Sequence, residues 1–130
     1  MSHLSPAQLQ SIEERLSTRE TELQERVRSA KESAAERPSA QGPQVEDIAE
    51  EGEQRYRHGM EHVELIRDQE ELAEIADART RIGDGRYGEC IDCGMPISFE
   101  RLSAQPTAKR CIADQEAWEK KHGTTLRYSA

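Results

Sequence analysis

Apolar residues recur along the first third of the chain at steps of three, four and seven. Leu9, Ile12, Leu16, Leu23, Val27, Ala30 and Ala34 form one stripe, and nearly everything between them is Glu, Arg, Gln or Ser. That period lays the stripe along one side of a helix running to about Glu36. The start of the helix is well marked: Ser5 suits the N-cap, Pro6 the first helical position, where no N–H is needed, and Gln8 completes a capping box. The run Arg37-Pro38-Ser39-Ala40-Gln41-Gly42-Pro43 holds two prolines and a glycine, so the helix gives way there to a turn or short loop.

A second helical pattern extends from about Gln44 to Ile82. Its stripe is Ile48, Tyr56, Val63, Ile66 and Ala73, then Leu65, Leu72, Ile75 and Ile82 as the line drifts round the helix. Two long helices with narrow stripes and a short connection bury those stripes most simply as an antiparallel coiled-coil hairpin, each arm on the order of 45–55 Å long. Gly52 and Gly59 each weaken the second arm by roughly 1 kcal/mol relative to Ala. Close helix approach, flexibility near the tip and simple tolerance all account for them. After Ile82 the stretch Gly83 to Glu89 is turn-rich, and a final helix is expected from Asp114 to about His122, with Trp118 on its apolar side. The expected architecture is mainly α: a hairpin over residues 1–82 with its tip near 37–49, then a small knuckle and C-terminal helix over 83–130.

Composition narrows this picture. A hydrophobic content of 34% with 4% aromatics limits the core that 130 residues can bury, and the 34% of charged residues suits a solvated helix pair. The net charge of −8 is concentrated in residues 44–78, which carry −9, against −1 before them and +2 after. An acidic middle repels phosphate backbones, so sequence-independent DNA or RNA binding, which needs clustered Lys and Arg, is not expected over most of this surface; a basic protein groove or a cation is the better match. The polar N-terminus and the absence of any 18-residue apolar run predict a cytoplasmic protein with no membrane segment.

Three cysteines, two of them as C-x-x-C, point in a reducing compartment to metal binding or redox chemistry. Cys90-Ile91-Asp92-Cys93-Gly94 puts two thiols on one turn, and Gly94 permits the backbone geometry that aims both sulfurs at one ion. With Cys111 and Asp114 the spacing becomes C-x2-C-x17-C-x2-D, a zinc-ribbon layout with a carboxylate in the fourth place. Three states compete. Zn²⁺ is held by Cys90, Cys93 and Cys111, with Asp114, water or His122 completing the shell; or packing of Tyr87, Ile97, Phe99, Leu102 and Trp118 suffices without metal; or the thiols are redox-active, which lacks the expected βαβ setting.

The residues from Asp84 through Gly94, with Ile97, Arg101-Leu102-Ser103-Ala104-Gln105-Pro106-Thr107-Ala108 and Arg110-Cys111-Ile112, closely resemble the DksA/TraR zinc-finger family, over about residues 83–119. The resemblance implies a bacterial, monomeric transcription regulator. Such a protein binds RNA polymerase through its secondary channel, coiled-coil tip toward the active centre, without reading DNA sequence. The family's tip motif D-x-x-D-x-A is matched by Gln44 to Ala49: Asp47 and Ala49 fit, and Gln44 replaces the first Asp. Arg67 and Arg101 fit basic family positions and are the implied polymerase contacts. At positions where family members use basic residues toward the alarmone ppGpp this chain has Glu74, Gln105 and Gln115, so synergy with ppGpp is not expected. Asp114 stands where the family has its fourth cysteine.

Two other classes remain to be weighed. A structural or adaptor coiled coil, with a zinc-stabilised knuckle, would dimerise through its stripe. A thiol redox protein or metal hydrolase would use the knuckle chemically. The chain has no Gly-rich phosphate loop and no nucleophile elbow, and none of His3, His58, His62 or His122 comes with an obvious catalytic partner, so no enzymatic activity is expected.

Overall fold

The computed structural model describes residues 3–36 and 48–123. It contains four helices, α1 (Pro6–Glu36), α2 (Ile48–Gly83), α3 (Phe99–Ala104) and α4 (Ile112–His122). The expected loop at 37–43 and the segment Gln44–Asp47 lie outside the described residues. Among those described there is no strand, only an isolated antiparallel bridge between Glu89 and Pro96. The chain forms two compact units, Met1–Thr18 with Glu74–Ala130, and Arg19–Ala73.

In the unit spanning residues 19–73, α1 and α2 run antiparallel: Arg19 pairs with Glu71 through two bonds of 2.6 and 3.0 Å, and two turns further along α1, Arg26 reaches back to Asp68 at 3.0 Å. Leu23 is fully buried there, with Val27, Leu65 and Leu72 half-buried. Asp68 is only 7% exposed, and its pairing with Arg26 is what makes burial of a carboxylate tolerable.

The stripe expected on α2 is only partly the buried one. Tyr56, Val63 and Ile66 are 72%, 42% and 41% exposed, and Ala73 is exposed as well. The buried line instead follows Leu65, Asp68, Leu72, Ile75 and Ala78. The period was correct, but two apolar lines coexist on this helix and α1 has one stripe with which to cover them. On α1 itself Ile12, Leu16 and Leu23 are buried as expected, while Ala34 is exposed.

The other unit joins the first part of α1 and the last part of α2 to the knuckle and to α3 and α4. Its core is Leu4, Ile12, Leu16, Ile75, Ala78, Tyr87, Ile97, Leu102 and Ala108. The capping box at the start of α1 is formed: Ser5 N–H donates to Gln8 Oε1 at 3.0 Å and Gln8 N–H to Ser5 Oγ at 3.1 Å. α2 ends in a Schellman arrangement, with Arg86 N–H on the Arg81 carbonyl and Gly85 N–H on that of Ile82, and Gly85 takes the left-handed conformation this needs (φ 74°). The turn delivers Tyr87 into the core, where its hydroxyl donates to the Pro106 carbonyl at 2.6 Å. Gly88 (φ 87°) lies so close to the N-terminal segment that a Cβ there would stand 3.1 Å from His3 Cε1.

Candidate metal centre

The two halves of the site come from different local structures. Cys90 and Cys93 sit on a reversed turn: Gly94 N–H bonds the Cys90 carbonyl at 2.9 Å and Cys90 N–H bonds the Met95 carbonyl at 2.8 Å. Gly94 supplies the left-handed residue (φ 76°) that closes it. Cys111 and Asp114 belong to the start of α4, Cys111 as the N-cap and Asp114 in the first turn, where a carboxylate also interacts favourably with the helix dipole. Three residues of helical rise bring both side chains to one side.

Two links hold the halves together. Ile91 N–H donates to the Lys109 carbonyl at 2.9 Å, and Arg110 Nε donates to Asp92 at 2.8 Å while its guanidinium lies 5.0 Å over the Trp118 ring. Arg101 steadies the same strand of chain through its Nε, which donates to the Arg110 carbonyl at 3.0 Å. Asp92, Lys109 and Arg110 went unrecognised in the sequence as the brace of the site. The signal that could have found Asp92 and Arg110 is opposite charge on residues directly neighbouring the cysteines.

The ligand atoms of Cys90, Cys93, Cys111 and Asp114 all lie within 4.8 Å of one another. Cys93 Sγ and Cys111 Sγ are 3.9 Å apart; two thiolates on a tetrahedral zinc with Zn–S of about 2.3 Å would be about 3.8 Å apart. The Cys90 thiol donates to Asp114 Oδ2 at 3.0 Å. Three soft sulfur donors with one carboxylate fit Zn²⁺ and not a hard cation such as Mg²⁺ or Ca²⁺, which takes oxygen ligands. These four residues would hold the ion, and its chemistry would be structural, tying α4 to the knuckle. His122, the other candidate for the fourth place, stacks instead on Trp118 with ring centroids 4.6 Å apart.

The electrostatics follow from three thiols facing one carboxylate. Hydrogen bonds from Cys90, Cys93 and Cys111 hold the Asp114 carboxyl below the ordinary range. The bond to Asp114 in turn pushes the Cys93 thiol up to about 12. For Cys90, burial and Asp114 push the thiol up, but the backbone donors around Cys93, Cys111 and Asp92 outweigh them, leaving it below the ordinary value. Asp114 is therefore ionised before any metal arrives, while Cys93 carries a proton that a metal must displace.

Of the other positions singled out in the sequence, Asp47 lies outside the described residues, and Ala49 falls in the first turn of α2. Arg67 is exposed on α2, as is His62. Gln105 is the C-cap of α3, and Gln115 donates to Glu119 at 3.0 Å. Among the described residues, His58 and His62 do not join a metal-binding group. No helix of the described residues is long and apolar enough to cross a membrane.

A cysteine-and-carboxylate knuckle set on paired antiparallel helices defines a small structural metal-finger protein. The family model that matches, over residues 85–117, is the prokaryotic dksA/traR C4-type zinc finger. The RNA polymerase-binding transcription factor DksA of Caulobacter vibrioides is 40% identical over 50 residues, 38% of this chain and 35% of that one. An uncharacterised protein of Haemophilus influenzae is 38% identical over 58 residues, 45% of this chain and 67% of that one. The chain thus spans only about a third of the length of the Caulobacter relative. The solved structure of the transcription factor DksA2 from Pseudomonas aeruginosa superposes with a TM-score of 0.73 at 31% identity, covering 92% of this chain and 89% of that one. The chain belongs to the DksA/TraR family, and the zinc finger of that family is the site described here.

Proposed function

We propose that this protein is a non-enzymatic transcription regulator that binds bacterial RNA polymerase, enters its secondary channel with the helical hairpin, and acts without reading DNA sequence. The observation that carries the reading is the likeness to the Pseudomonas DksA2 over nearly the whole of both chains, helices and knuckle together. The acidic stretch 44–78 supports it, because a surface of net charge −9 suits a basic protein channel and not a phosphate backbone. In this reading Asp47 and Ala49 form the tip, Arg67 and Arg101 contact polymerase, and synergy with ppGpp is not expected. Arg101 makes its contact with the nitrogens left over from its bond to the Arg110 carbonyl.

The test is binding of the purified protein to bacterial core RNA polymerase, with Asp47→Asn alongside. Binding retained by Asp47→Asn, with loss of its effect on transcription in vitro, is the expected result. No binding by the unmodified protein would overturn the proposal.

A further inference from the structure

The seam between the two long helices changes character part-way along. Among the described residues of the unit spanning 19–73, the buried side chains are Leu23 and Asp68. Arg19 with Glu71 and Arg26 with Asp68 tie α1 to α2 around them. The covered line of α2 runs Ile75, Leu72, Asp68, Leu65, and its next positions at the same steps are Glu61 and His58, then Gln54. His58 is half-buried, and Glu61 and Gln54 are exposed. Over the same stretch the α1 stripe shrinks from Leu23 and Val27 to Ala30, half-buried, and Ala34, exposed. Alanines beside Glu and His remove little apolar surface from water, and it is packing of an apolar face that gives paired helices most of their stability. Arg28 pairs with Glu25 and Glu32 on its own helix and in solvent, so these bonds do not join the arms. Gly52 and Gly59 on α2 are each poorer helix formers than Ala.

We infer that the hairpin is built in two stages: a base that stays packed around Leu23, Arg26 and Asp68, and a distal part, residues 28–34 and 54–64, that opens locally in the free protein and is closed when a channel encloses both arms. The closing rests on the polymerase reading above; the opening does not. An arm with an unpacked seam is held by helix propagation alone, which is marginal in water for stretches below about 12–15 residues. Its helices are therefore lost without disturbing the base or the knuckle. Opening stops at the base because one step further exposes Leu23 and parts Asp68 from Arg26. Ordering the distal arms costs part of the free energy of docking, so the polar seam lowers the affinity with which the hairpin is held.

Amide hydrogen exchange of the full chain, read by mass spectrometry, tests the opening. Amides of residues 28–34 and 54–64 should exchange at least about tenfold faster than those of 12–23 and 68–80, at a rate that urea below the global transition leaves unchanged. His58→Leu with Glu61→Leu rebuilds the seam and should slow the distal amides by at least about tenfold while the base stays as it was. Gly59→Ala, whose Cβ meets nothing within 4 Å, should slow them by about fivefold. Equal protection of the two parts, or distal exchange that ignores the rebuilt seam, overturns the opening. Bound to core RNA polymerase, the distal amides should become as protected as the base. A bound complex whose distal amides exchange as in the free protein overturns the closing. No binding at all removes the polymerase reading and the closing with it, while exchange in the free protein still decides the opening.

Discussion

At the scale of single residues, Asp114 distinguishes this knuckle from a four-cysteine finger. A fourth cysteine would bring another proton to be expelled, whereas Asp114 is already ionised, held below the ordinary carboxyl range by the three thiols. Metal affinity is linked to the protons that ligands release, so it must rise with pH while Cys93 is protonated. With Cys93 pushed up to about 12, at least its proton leaves on binding at neutral pH. The prediction is that Zn²⁺ binding releases protons, that of Cys93 among them, and about one more in Asp114→Cys than in the unmodified protein. Titration calorimetry in two buffers of different ionisation enthalpy measures both; equal proton counts in the two proteins would show that Asp114 does not behave as an ionised ligand. The same comparison orders the affinities, the all-thiolate site being the tighter one.

At the scale of elements, the beginning of α1 rests on few residues. The reciprocal Ser5–Gln8 bonds satisfy two of the helix's orphan N–H groups, and this start lies beside Leu4, which is buried in the core of its unit. Ser5→Ala should cost about 0.5–2 kcal/mol, seen as a lower midpoint in urea with unchanged slope. This cap was legible in the sequence because its chemistry is local: Ser, Pro and Gln at fixed offsets need no knowledge of the fold. So were the stripe through Ile12, Leu16 and Leu23 and the turn ending α2. What was not legible was the side of α2 that meets α1. Tyr56, Val63 and Ile66 have the same period as Leu65, Leu72 and Ile75, and apolarity alone does not say which line is covered. The deciding residue, Asp68, looks like a surface carboxylate until Arg26 is placed beside it. Short α3 also escaped notice, because six residues carry too little periodicity; its cap, Ser98 Oγ accepting from Arg101 N–H at 3.2 Å, was its one local sign.

At the scale of the whole molecule, the question is how much of the structure depends on the metal. The unit built on residues 3–18 and 74–123 has an apolar core of its own, in which Tyr87, Ile97 and Leu102 are at most 2% exposed against Ile12, Leu16 and Ile75 on the long helices. α4 contributes no buried residue to that core. It is held at its N-terminal end by Cys111 and Asp114, and along its side by Arg110 over Trp118. Ligation by four residues, two of them in or capping α4, supplies what this helix lacks in burial. Removing the metal should therefore loosen α4 selectively and leave α1 and α2 intact. Trp118 is the chain's single tryptophan and sits on α4, so its fluorescence reports that event alone. With chelator the Trp118 emission should shift toward that of a solvated indole while most of the helical signal persists, because α1 and α2 contain 31 and 36 residues against 11 in α4. Helicity and Trp118 emission lost together, in one transition, would mean that the ion holds the whole unit and that the packing of Tyr87, Ile97 and Leu102 is insufficient without it.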